Sequence, residues 1–180
     1  MILKFFLRNK KWSIPVGLIS GFVSFAALFV SCEKDDICVD GDTPQLIVTF
    51  YKTADPTQLA AVTKLRISGI GMGTPVDTFS DRSNRDSIAL PLRADAESTG
   101  FVFYLNSASN DEGLELGNPD TIYFNYSTQS VFVSRACGFV PNFEDFSASL
   151  IEDNNLWINS IEVKQTRISN TNSSHVSIYY

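Results

Sequence analysis

Apolar residues in this chain recur at every second position over short runs, and that alternation selects strands over helices, which would repeat every 3.6 residues. In residues 45–51, Leu46, Val48 and Phe50 fall on one side of an extended chain and Ile47 and Tyr51 on the other. The turn-forming Gly41-Asp42-Thr43-Pro44 precedes them. Further strands are expected over 64–70, 87–92, 100–106, 121–126, 130–136, 147–151, 157–169 and 175–180. Gly69, Gly71, Gly73 and Pro75, Asp81-Arg82-Ser83-Asn84, Asp153-Asn154-Asn155 and residues 170–174 supply breaks between them. Pro91 has no N–H to give a central ladder, so its strand belongs at an edge or carries a bulge. Only residues 55–61, with Pro56 suited to a first turn, and 142–146 have any helical claim. About nine closely spaced strands without intervening helices predict an all-β fold, an antiparallel β-sandwich of immunoglobulin-like or related type, with a closed barrel as runner-up. Phe50, Phe101, Phe103, Phe124, Phe132 and Trp157 are the expected aromatic core.

The amino-terminal segment is of another kind. Lys4, Arg8, Lys10 and Lys11 are followed by an apolar run over 14–30, interrupted by Pro15, Gly17, Ser20, Gly21 and Ser24, and then by Ser31-Cys32. A basic start, an apolar middle and a small residue before cysteine form the pattern of a lipoprotein signal peptide. An uncleaved membrane span is the alternative, but the run is at the short limit for crossing a bilayer. The expected organisation is a signal peptide over 1–31, a lipidated acidic tether over 32–42 and one β-sandwich domain over 43–180. Lipid on Cys32 would make the membrane a partner: each buried CH2 contributes about 0.8 kcal/mol, so several acyl chains hold a protein where one does so only reversibly.

Four of the 14 basic residues and none of the 20 acidic ones precede Cys32, so the mature chain carries 10 against 20 and a net charge of −10. Such a body repels phosphate backbones, which excludes nucleic acid as an expected partner, and it also disfavours broad contact with anionic lipid. Export leaves Cys38 and Cys137 as an expected disulfide, with two buried free thiols as the alternative.

Catalytic signatures are sparse. The one histidine, His175, heads the last strand and is expected to be a partly exposed strand-end residue. No nucleophile-elbow, phosphate-loop or zinc-protease pattern accompanies it. Oxygen-rich clusters occur at Asp35, Asp36, Asp40 and Asp42, and at Asn110, Asp111, Glu112, Glu115 and Asp120. Calcium takes six to eight such oxygens, which makes Asp111, Glu112 and Asp120 weak metal candidates, although neither cluster has EF-hand spacing. Solvated acidic loops are the favoured reading, and no cofactor or catalytic residue is assigned.

Cys32-Glu33-Lys34-Asp35-Asp36-Ile37-Cys38, Thr43-Pro44-Gln45-Leu46-Ile47-Val48, Asp86-Ser87-Ile88-Ala89-Leu90-Pro91-Leu92, Val133-Ser134-Arg135-Ala136-Cys137-Gly138 and His175-Val176-Ser177-Ile178-Tyr179 together resemble a family of small Bacteroidota lipoproteins carrying a domain of unknown function, 6452. The resemblance implies a setting in the cell envelope, lipid-anchored to the outer membrane and facing the periplasm or the surface. Within that setting, Glu33-Lys34-Asp35-Asp36 resembles an acidic surface-export signal, with a plain solvated linker as the alternative. Asp86-Ser87-Ile88 and Asp120-Thr121-Ile122 resemble short O-glycosylation acceptors. The favoured function is a non-enzymatic binding or structural module with an envelope protein or glycan as partner. The alternative is a calcium-dependent carbohydrate binder or hydrolase using loop carboxylates.

Overall fold

The computed structural model describes residues 37, 38 and 42–180. Ten strands are present: β1 Leu46–Lys52, β2 Asp55–Leu59, β3 Val62–Gly69, β4 Ser83–Arg85, β5 Ser87–Leu90, β6 Ser98–Leu105, β7 Asn118–Ser134, β8 Gly138–Ile151, β9 Ser160–Val163 and β10 Val176–Tyr179. They form two five-stranded sheets, one ordered β2-β1-β10-β9 with β5 also on β1, the other β4-β3-β6-β7-β8. The protein is an all-β sandwich, as its alternation requires. Every ladder is antiparallel except that between β1 and β10, which run parallel with Val48 opposite Val176 and Phe50 opposite Ile178.

Alternation also determines the core. Leu46, Val48 and Phe50 of β1, Ile88 and Leu90 of β5, and Val176 and Ile178 of β10 are buried in the first sheet. They share a cluster with Leu65 and Ile67 of β3, Phe101 and Phe103 of β6, and Ile122 and Phe124 of β7. Fully burying one such side chain is worth about 1.5–3 kcal/mol, which explains why the register holds: a one-residue slip would turn a whole inward row to solvent. The sheets approach at both margins. Only Asp86 separates β4 from β5, and Phe143 of β8 bridges to Ile168, with reciprocal N–H···O bonds of 3.0 and 2.8 Å.

Several local expectations are corrected. The helical segments are strands: 55–59 is β2, wholly exposed, and 142–146 lies inside β8. Residues 121–126 and 130–134 belong to one 17-residue strand rather than two, and 135–136 lie in the turn after it. The long strand expected over 157–169 shortens to β9, because Asp120 takes the backbone N–H groups of Trp157 and Ile158 into side-chain bonds instead. Pro91 falls just beyond β5 rather than inside it, and β5, which pairs only with β1, lies at an edge of its sheet as expected. Phe132 is exposed rather than buried, because β7 and β8 continue past the sandwich as a two-stranded ribbon with no sheet against it.

Candidate functional site

A cleft of about 690 Å³ lies on the outer face of the second sheet. Gly100 and Tyr123, which stand opposite each other on β6 and β7, contribute to its floor together with Phe101. A Cβ at position 100 would lie 2.5 Å from Cδ1 of Ile70 and 2.8 Å from the Tyr123 ring, so only glycine lets both side chains close over this part of the sheet. One wall is the turn after β3, carrying Ile70, Met72, Pro75 and Val76. That turn is tied back by Met72 N–H to the Gly69 carbonyl at 3.0 Å, Val76 N–H to the Ile67 carbonyl at 2.9 Å, and a bridge between Ser68 and Pro75. Positive φ at Gly71 and Gly73 makes the reversal possible at low cost.

The opposite wall is Pro91, Leu92 and Arg93. Its anchor is a buried polar cluster beneath it: Tyr126 Oη donates to the Arg93 carbonyl at 2.8 Å and is hydrogen-bonded to Thr99 Oγ1, which accepts the Arg93 N–H at 3.0 Å. Burial raises the Tyr126 pKa above its ordinary value, against the pull of these hydrogen bonds, so the phenol remains a neutral donor. Ile70, Met72 and Tyr123 are all exposed, an unusual concentration of large apolar side chains at one concavity. Asp77 and Arg93 are the only ionisable lining groups with permanent charge at neutral pH. Such a cleft suits apolar recognition with two charges for orientation, and it offers no paired carboxylates or nucleophile and base for catalysis.

The sequence-derived candidates lie elsewhere. Cys32, Asp35, Asp36 and Asp40 fall outside the described residues; Asp42 is exposed. Cys38 and Cys137 are bonded, with Cα atoms 4.8 Å apart. Asp111 and Glu112 are exposed in a turn organised by Asn110, whose Oδ1 accepts the N–H groups of Glu112 and Leu114. Glu115 instead meets Arg82 at 3.1 Å and Arg66 at 3.6 Å. Burial pushes its carboxyl up, but hydrogen bonds from Gly117, Ser107, Arg82 and Ala108 together outweigh it and hold the pKa below the ordinary glutamate value. Asp120 is buried beside Trp157, accepting through Oδ2 from Trp157 N–H at 3.0 Å and Ile158 N–H at 2.7 Å, while Oδ1 has no partner. Desolvation raises its pKa. Among the described residues no three His, Cys, Asp or Glu side chains converge as a metal site requires.

His175 is fully buried, not partly exposed. Its Nδ1 accepts Ile47 N–H at 2.9 Å, which places the proton of the neutral ring on Nε2. Burial lowers its pKa, the nearby Asn170 backbone pulls the other way, and Nε2 has no hydrogen-bond partner. The ring locks the entry of β10 to β1. Of the two glycosylation-like hydroxyls, Ser87 is exposed and Thr121 half-buried.

A family described as a family of unknown function, DUF6452, matches residues 64–180. The chain belongs to this family. No curated protein and no solved structure matches the chain. The DUF6452 match begins inside β3, whereas the folded body begins earlier, since β1 contributes Leu46, Val48 and Phe50 to the core and the parallel partner of β10. The cleft lies wholly within the matched region. Its key residues were not singled out from sequence. The available signal was Gly69-Ile70-Gly71-Met72-Gly73, which sets two large apolar side chains in a glycine turn where a core cannot cover both.

Proposed function

We propose that this protein is a non-enzymatic binding module of the cell envelope, held to the outer membrane by lipid on Cys32, whose outer cleft receives apolar side chains of an envelope protein. One observation carries the binding reading: Ile70, Met72 and Tyr123 are exposed around a concavity whose shape depends on the missing side chain of Gly100. Isolated exposed apolar residues need no explanation, but a rimmed group of them does. The leader pattern before Cys32 supports the anchor, and the acidic mature chain keeps the body soluble beside the membrane.

The test is site-specific photo-crosslinking in intact cells, with benzoylphenylalanine replacing Met72 and, as control, the exposed Thr57 of β2 on the other sheet. Met72 is expected to capture a discrete protein that Thr57 does not, and Tyr123→Ala is expected to reduce the adduct several-fold. Equal adduct patterns at the two positions, or none at Met72, would remove the cleft from the account.

A further inference from the structure

The β7–β8 ribbon runs on beyond the sandwich and ends at Cys137, which is bonded to Cys38. Cys38 stands six residue steps after Cys32, a contour of roughly 20 Å at full extension. A lipid on Cys32 therefore keeps the ribbon tip within that distance of the bilayer surface through a covalent path. The tip has a composition that fits such a position. Phe132 and Phe139 stand directly opposite each other across the ladder, their rings 5.5 Å apart, and are 57% and 69% exposed. Val133 is 39% exposed, and Ile37, beside the disulfide, is 84% exposed.

Charge distribution singles out the same region. From Ser127 to Phe143 the only ionisable side chain with a charge at neutral pH is Arg135, in a mature chain where acidic residues outnumber basic ones two to one. The acidic body is repelled by anionic lipid, whereas the ribbon, with Arg135 as its one charge over 127–143, adds nothing to that repulsion; the acidic Glu33, Asp35, Asp36 and Asp40 flank Cys38 in the tether rather than in the ribbon. Phenylalanine side chains on a membrane-facing surface bury into the boundary between headgroups and acyl chains.

We infer that the ribbon tip is a membrane-docking surface: Phe132 and Phe139, with Ile37 and Val133 beside them, enter the interfacial layer of the bilayer and orient the domain with β7 rising from it. The inference rests on lipid attachment at Cys32 and goes beyond it, since a tether alone would leave orientation free. β7 spans roughly 50 Å at about 3.3 Å per residue, so the opposite end of the strand, with exposed Leu116, is held well away from the lipid.

The test uses the full lipidated protein in vesicles of phosphatidylethanolamine and phosphatidylglycerol, with or without brominated phosphatidylcholine, and tryptophan reporters at Phe139→Trp and Leu116→Trp. Trp157 is buried and provides a constant background. Flotation with the vesicles reads the anchor; quenching by bromolipid reads the tip. The expected result is flotation of both variants, at least twofold quenching with the reporter at 139, and none with that at 116. Flotation with equal or no quenching at the two positions overturns the tip inference and leaves the anchor standing. Failure to float overturns the anchor and the inference with it. A blue-shifted reporter at 139 without quenching would mean that a second copy or another protein covers the tip, and also overturns it. Phe132 and Phe139 contribute nothing to the core cluster, so Phe132→Ser with Phe139→Ser should fold normally, float as before and lose fixed orientation.

Discussion

His175 offers an internal pH probe, because it is the only histidine and is fully buried as a neutral ring. Its pKa is lowered by burial, so the unfolded chain takes up a proton at a higher pH than the folded one does. For a depressed base the sign is fixed: its stabilising contribution is complete above the unfolded pKa, about 6.5, and is lost as pH falls from there toward the folded pKa. Between pH 7.5 and 5.5 the unfolded state gains at most about 1.3 kcal/mol from protonating one such group, whatever the folded value. Urea unfolding at the two pH values measures the loss. Asp120 works in the opposite direction, since a carboxyl raised by desolvation favours the fold at low pH and loses that advantage as pH rises through its folded pKa. The informative quantity is therefore the difference between wild type and His175→Asn, whose Oδ1 takes the Nδ1 position as acceptor for Ile47 N–H and does not titrate. Wild type should lose up to about 1.3 kcal/mol more than the variant over this interval. Identical losses would refute the assignment of a buried neutral ring.

Three further perturbations follow from the same contacts. Asp120→Ala leaves the N–H groups of Trp157 and Ile158 buried without acceptors and should cost about 2–4 kcal/mol by chemical unfolding, while Asp120→Asn, which keeps an acceptor, should cost less than half of that. Replacing Cys38 and Cys137 by serine opens a loop of 99 residues and should lower stability by roughly 2–5 kcal/mol, with amide exchange at the ribbon accelerated first; an unchanged urea midpoint would contradict the bond. Tyr126→Phe removes the donor to the Arg93 carbonyl and should cost about 1–2 kcal/mol, with faster exchange confined to the 91–95 wall of the cleft; protection unchanged there would show that the wall is held by other contacts.

Strands that are buried on one face were legible because burial imposes a period of two. β6 and the first half of β7 fall into this group, and in β1 and β10, which have buried residues on both faces, the inward apolar residues still match the alternation in the sequence. β2 was not legible: all five of its residues are exposed, so nothing in its pattern reports pairing, and Asp55-Pro56 mimics a helix start. The ribbon tip fails for a similar reason, since Phe132 and Phe139 are exposed there and hydrophobicity alone sent Phe132 to the core. The parallel pairing of β1 with β10 joins elements about 130 residues apart and leaves no local mark. The disulfide followed from cysteine count and the expectation of export. The cleft did not, because its floor depends on what position 100 lacks, and its walls are turns, one held by backbone bonds back to β3 and the other by Tyr126 and Thr99 of the floor strands.

The chemistry of the mature amino terminus decides whether the protein is anchored. Intact and peptide-level mass spectrometry of the protein purified from its membrane, without reduction, measures this directly. A chain beginning at Cys32 with a diacylglyceryl-type mass increment, and with Cys38 joined to Cys137, is the predicted result. An unmodified terminus, or cleavage at any other residue, would contradict the anchor and everything placed at the bilayer because of it.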